Sequence, residues 1–260
     1  MITSHLMGGI GNQMFQISAA VALSMDMGVE YKFDFDVCYT PAQGNTSNKY
    51  RDNIFKNINN GHLNQGDFKR YTQPQFSYVK LPKVDNISLF GDFQSVKYFE
   101  HHHNEIFNLF DLGTERLKKC VEFQSEISPS VGEKITAVHV RRGDYLTKPN
   151  FHPVCTVEYY QKAMEEIGGG IFIFVSDDMK WCKENFKGEN IFYSPFTNEL
   201  DDLSLISSCD NQIISNSSFS WWGAFLCNGE DNIVIAPIVW FGPQGPQDTQ
   251  DIIIEGWVKI

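Results

Sequence analysis

Four short stretches of the chain carry residue types that could act on an anionic substrate. The first is His139-Val140-Arg141-Arg142-Gly143-Asp144-Tyr145, where an apolar run ends in an imidazole, two guanidiniums and a carboxylate. A guanidinium at a strand end can fork onto phosphate oxygens; the alternative is an Arg–Asp pair that pins a loop. The second is Asn216-Ser217-Ser218-Phe219, where hydroxyls lead into a helical pattern. Amides and serine oxygens at a helix start could hold a phosphate, while Trp221 and Trp222 just beyond read as core. The third is Ser176-Asp177-Asp178, again after an apolar run. Ser176 or Asp177 could cap the next helix, or a carboxylate could accept hydrogen bonds from a base or ribose. The fourth is Gly8-Gly9-Ile10-Gly11-Asn12-Gln13. It reads as a tight turn or as a close approach of backbone to an anion at a helix start. It lacks the third glycine of a dinucleotide fingerprint.

Stepping along the chain, the apolar pattern supplies elements to carry these stretches. Helical periodicity runs from Asn12 to Met27, with Phe15, Ala19, Ala22 and Leu23 on one face. Strands are expected at 29–35 and 87–90, a helix at 96–110, and polar loops with short helices between Tyr39 and Gln75. From Ile135 the order becomes regular: strand 135–140, helix 157–167, strand 171–175, helix 179–186, strand 191–193, helix 199–208, strand 211–215, helix 219–227, strand 233–236. Such alternation predicts an α/β protein with a parallel sheet covered by helices. Ligands of open parallel sheets bind beyond the carboxyl ends of the strands, where three of the four stretches fall. Alternation along strand 135–140 puts His139 and Arg141 on one face. Pro, Ser and Gly near Ser128–Gly132 suggest a boundary, giving an N-terminal α/β domain at 1–132 and a C-terminal Rossmann-like domain at 133–260. The apolar segment 252–260 is expected to dock on the body.

Composition narrows the function classes. With 21 Lys+Arg against 32 Asp+Glu the net charge is −11, which argues against a nucleic-acid partner. No apolar stretch reaches the ~18 residues of a spanning helix, and no signal peptide is visible. The six cysteines have no metal or disulfide spacing and read as reduced thiols. The expected location is cytoplasmic or peripheral to the inner membrane face, with a soluble part of a membrane-anchored protein as the alternative. Metal is not expected: consecutive residues of His101-His102-His103 would point about 100° apart on a helix, and Asp34-Phe35-Asp36 has the DxD form without another ligand near it. Nothing in the sequence sets an oligomeric state or the source.

Taken together, the motifs resemble the bacterial-type α-1,2-fucosyltransferases. The matching segments are GGIGNQMFQ (8–16), GDFQSVKYF (91–99), HVRRGDY (139–145), FHPVCTVEYYQKA (151–163), FVSDDMKWC (174–182), ISNSSFSWWGAFL (214–226) and IAPIVWF (235–241). The resemblance implies a GT-B-type fold, with two Rossmann-like domains facing a cleft. It implies an inverting, metal-independent glycosyltransferase that moves L-fucose from GDP-β-L-fucose to the 2-hydroxyl of a terminal galactose in an oligosaccharide. Carried over by motif, Arg141 holds the donor β-phosphate, and His139 and Asp144 order that loop or touch donor and acceptor. Gly9, Gly11, Asn12 and Gln13 face the donor from the acceptor-side domain. Ser217, Ser218 and Phe219 line the pyrophosphate pocket and Asp177 the nucleoside side. Asp144 is the candidate general base, against a dissociative path with no strong base. The alternatives are an α-1,6- or protein O-fucosyltransferase and, outside this chemistry, a nucleotide-binding module or nicotinamide oxidoreductase.

Overall fold

Strands in a computed structural model, whose described residues are all but 38–46, 129–131 and 230, are short and parallel. In chain order they are β1 (Ile2–Ser4), β2 (Lys69–Thr72), β3 (Ile87–Phe90), β4 (Ile135–Val140), β5 (Ile171–Ser176), β6 (Ile191–Tyr193), β7 (Asn211–Ile213), β8 (Val234–Ala236) and β9 (Val258–Lys259). The α-helices are α1 (Ile10–Met27), α2 (His103–Leu109), α3 (Thr114–Ile127), α4 (Val157–Ile167), α5 (Met179–Asn185), α6 (Glu199–Ser208) and α7 (Ser218–Phe225). The chain divides into two units, Met1–Asp111 with Asp248–Ile254, and Leu112–Gln247 with Glu255–Ile260.

The first unit holds a sheet of order β1-β3-β2, with Ile87 opposite both Ile2 and Lys69. Helix α1 follows β1 and is buried on nearly every side until its last turn. Small and apolar residues all around it allow this, and its buried polar groups bond locally: Ser18 Oγ to the Met14 carbonyl (2.7 Å) and Ser24 Oγ to that of Val21 (2.7 Å). The strand expected at 29–35 is reduced to two isolated bridges, Ile2 with Tyr31 and Phe33 with Asn60. The helix expected at 96–110 is broken into 3₁₀ turns, Val96–Tyr98 and Glu100–His102, before α2. Phe99 makes the break: its backbone leaves the helical region (φ −145°) while its ring is fully buried.

The second unit is a six-stranded sheet of order β6-β5-β4-β7-β8-β9, parallel throughout. The mainly apolar, almost wholly buried runs of β4 and β5 suit strands covered on both faces. Val138, Val140, Phe172 and Phe174 meet Tyr160 of α4 and Cys182 of α5 on one side. Ile135, Ala137, Ile173 and Val175 meet Cys120 of α3 and Leu205 and Ile206 of α6 on the other.

The division between the units falls before α3, not at the expected 132/133. Helix α3 belongs with α6: Cys120 is fully buried, Arg116 Nε lies 3.2 Å from Asp201, and Gln124 Nε2 donates to Ser208 Oγ (3.0 Å). Most of the expected 128–132 boundary lies outside the described residues. The tail also divides. Asp248 and Asp251 accept from the amides of Ser77 (2.7 Å) and Tyr78 (2.9 Å) in the first unit, while β9 extends the sheet of the second.

Candidate active site

Strand order in the second unit reverses at β4. From there β5 and β6 lie to one side and β7, β8 and β9 to the other. A crevice opens beyond the carboxyl ends at such a switch point. The residues leaving β4, β5 and β7 there are Arg141–Asp144, Asp177–Asp178 and Ile214–Ser217. Three of the four stretches singled out from the sequence therefore meet in one place.

The two arginines have different fates. Arg141 extends between two carboxylates, with Nη2 2.5 Å from Asp144 Oδ1 and Nη1 3.0 Å from Asp177 Oδ2. Arg142 folds back, its guanidinium 4.1 Å above the Trp181 ring and its Nε donating to Asp178 Oδ2 (3.0 Å). Its backbone amide donates to Asp177 Oδ1 (2.9 Å). Gly143 permits this closeness, since a Cβ there would lie 2.5 Å from Asp177 Oδ2. The cap of α5 is Asp178, which accepts from the Trp181 amide (3.2 Å), rather than Ser176 or Asp177. Asp177 is turned to the arginine loop, and Ser176 Oγ accepts from the Asp178 amide (2.9 Å).

Two guanidiniums among three carboxylates leave this cluster with no surplus of positive charge. What it offers an anion is direction. An arginine has five N–H donors, and the carboxylates beside Arg141 fix where its remaining ones point.

His139 is buried, with Nδ1 2.9 Å from Ser215 Oγ and its ring 5.3 Å from that of Phe219. Burial, helped by the nearby Arg141 charge, pulls its pKa down to about 3, so the ring is neutral near pH 7. A neutral, enclosed ring here joins the end of β4 to the end of β7. Tyr145 makes a second tie: its hydroxyl donates to the Asn216 carbonyl (3.0 Å), and its ring stacks on His152 at 4.4 Å and 12°. Asn216 Nδ2 donates to the carbonyls of Pro153 and Trp240 (both 2.9 Å). Ser215, Asn216, Tyr145 and His152 thus brace the site, in roles the sequence did not reveal.

Helix α7 begins at the same strand ends, with Ser217 as N-cap in extended conformation and no side-chain cap bond. Ser217 is mostly buried, Ser218 and Phe219 are half-buried, and Trp221 and Trp222 are wholly inside the core.

The glycine turn belongs to the first unit. Gly8 has φ +77°, and a Cβ there would lie 2.5 Å from Asn12 Nδ2. Gly9 is the N-cap of α1. Gln13 is buried and donates from Nε2 to the Gly8 carbonyl (3.0 Å); Gln94 Nε2 donates to Asn12 Oδ1 (3.1 Å). Gln16 clasps the Met7 residue at both ends, accepting from its amide (2.9 Å) and donating to its carbonyl (3.3 Å). Gly11 and Gln13 are therefore interior, whereas Gly9 and Asn12 keep partial exposure.

The two acids of Asp34-Phe35-Asp36 part company. Asp34 accepts from the amides of Leu63 (3.1 Å) and Asp36 (3.2 Å), and Asp36 pairs with Arg51 at 3.0 Å. The histidine run departs from expectation: His101 and His102 both reach one carboxylate, Asp26. The helix is broken at that point, and the last turn of α1 brings the acid to both rings. Five cysteines among the described residues are free thiols; Cys38 lies outside them. No helix among the described residues is long and apolar enough to cross a membrane.

Polar side chains gathered beyond the carboxyl ends of a doubly wound parallel sheet, at its switch point, occupy the place where α/β proteins of this class bind ligands. The fold matches that of the fucosyltransferase NodZ from Bradyrhizobium, with a TM-score of 0.54 and 13% identity over 88% of this chain and 96% of that one. The architecture is the GT-B type. The profile of Glycosyl transferase family 11 matches residues 1–260, and the chain belongs to that family. It is 28% identical to the O-antigen biosynthesis glycosyltransferase WbnK of Escherichia coli over 99% of each chain. It is 30% identical to an alpha-1,2-colitosyltransferase of Escherichia coli over all of this chain and 98% of the relative. Against galactoside alpha-(1,2)-fucosyltransferase 2 of Pongo pygmaeus, identity is 28% over 68% of this chain and 53% of that protein.

Proposed function

We propose that this glycosyltransferase moves L-fucose from GDP-β-L-fucose to the 2-hydroxyl of a terminal galactose, with inversion and without a required metal. The observation that carries this reading is Arg141, held by Asp144 and Asp177 at the switch point beside the start of α7. In a single displacement the enzyme must neutralise the departing diphosphate. The unspent N–H groups of Arg141, the first amides of α7 and the hydroxyls of Ser217 and Ser218 are donors of that kind. Phe219 lines the same pocket. Asp177 orients Arg141, and buried His139 positions the strand ends. Asp144 is the proposed base for the acceptor hydroxyl. The second unit binds the donor and the first carries the acceptor side. The relative named for colitosyl transfer makes the donor sugar a point to test directly.

The test is incubation with GDP-fucose and a panel of galactosides, in parallel with a nucleotide-linked colitose, followed by NMR of the product. Release of GDP with a new α-1,2 linkage to galactose, unchanged by EDTA, is the expected result. A linkage to another position, or turnover only with the colitose donor, overturns the specific reading and leaves family membership intact.

A further inference from the structure

A second cluster lies outside the transferase site. At the last turn of α1, Asp26 Oδ1 sits 3.0 Å from His101 Nε2 and 3.0 Å from His102 Nε2. One donor atom from each of the three residues falls within 4.8 Å of the others. Two imidazole nitrogens and one carboxylate oxygen form a donor set for zinc and related transition ions. Ligands bound at about 2.0–2.2 Å stand roughly 3 Å or slightly more apart around such an ion, close to the two 3.0 Å separations here.

Sequence neighbours rarely converge on one ion, and the local fold explains how these do. The break at Phe99 puts both histidines in the 3₁₀ turn Glu100–His102, with ring centroids 4.5 Å apart. Asp26 arrives from α1, whose earlier turns are held in the core. Half-exposed His101 and Asp26 border a surface pocket with Tyr78, Lys80 and Lys83, so further coordination positions open to solvent. Lys83 Nζ is 3.4 Å from the other carboxylate oxygen, Oδ2, and its side chain is 54% exposed, free enough to swing aside. His103, the third of the run, stacks instead with Phe107 (6.1 Å, 17°).

We propose that Asp26, His101 and His102 bind a divalent transition ion of the zinc class, tying the end of α1 to the turn before α2. The ion is a structural tie, separate from sugar transfer.

The experiment titrates Co²⁺ into the EDTA-stripped full chain, follows the visible ligand-field bands, then displaces Co²⁺ with Zn²⁺. Wild type should show the bands and gain melting temperature with Zn²⁺. Asp26→Asn, His101→Ala and His102→Ala should each weaken binding by about tenfold or more, while His103→Ala stays near wild type. Melting of each variant without metal checks that it is folded. Two results overturn the proposal. One is wild type without bands; the other is His103→Ala losing as much affinity as His101→Ala, which marks a non-specific histidine run. Both readouts are independent of sugar transfer.

Discussion

The glycine turn of the first unit and the serine turn of the second both open a helix, yet they spend their polar groups in opposite ways. At α1, Gln13 and Gln16 turn inward and bond the loop that precedes them. At α7, the neighbouring Ser215 and Asn216 do the bracing, which leaves the cap residue Ser217 without a side-chain cap bond. A turn stabilised by its own helix is fixed by local sequence. A turn stabilised by neighbouring strands is fixed by topology, and its cap residue makes no side-chain bond to its own helix.

The largest expected effect comes from Arg141. Replacement by Ala should lower kcat/KM about a thousandfold, roughly 4 kcal/mol, with little change in melting temperature; Lys should not restore activity, because it lacks the fork. Full turnover by Arg141→Ala would sink the phosphate role. Next is Gly143→Ala, whose methyl group must displace Asp177 from the Arg142 amide. A shift of that size should cost up to about a hundredfold in kcat, read by steady-state kinetics. In the first unit, Gln16→Ala leaves the Met7 amide and carbonyl without their clasp. It should cost about 2 kcal/mol of stability in urea unfolding, with activity per folded molecule affected less than by Gly143→Ala.

The smallest effect is in the pH profile. His139 is held near 3, below its ordinary 6.5. The unfolded chain therefore takes up a proton that the folded chain refuses, and stability present above pH 6.5 is lost as pH falls toward 3. Asp202, raised by burial to about 6, opposes this, since its cost falls away as pH drops from about 6 toward the ordinary 3.8. The readout is thus the difference between proteins. From pH 7 to pH 5 wild type should lose roughly 1–2 kcal/mol more than His139→Asn.

Much of the second unit was legible in the sequence because its signals are local. Strand β4 is a mainly apolar run, and α4 and α6 start at the caps Thr156 and Asn198. Strand β2 escaped notice because Lys69-Arg70-Tyr71-Thr72 is largely exposed and carries no apolar alternation. Helix α3 escaped because its charged surface hides a narrow buried stripe around Cys120. At the site, residues that follow apolar runs stood out. The ties His139–Ser215 and Tyr145–Asn216 span more than 70 positions and exist only once β4 and β7 are adjacent. Which of two consecutive aspartates caps α5 depends on where the arginines go, and that is a tertiary fact.

The tail that divides between the units also orders events during synthesis. The first unit begins at Met1 but includes Asp248–Ile254. Its Ser77 and Tyr78 amides wait for Asp248 and Asp251, which are made 171 and 173 residues later. The unit that is started first is completed only after Leu112–Gln247 of the second have been made. A nascent chain stalled anywhere before residue 248 carries it unfinished, and a truncation there removes both its closing segment and the edge strand β9 of the second sheet.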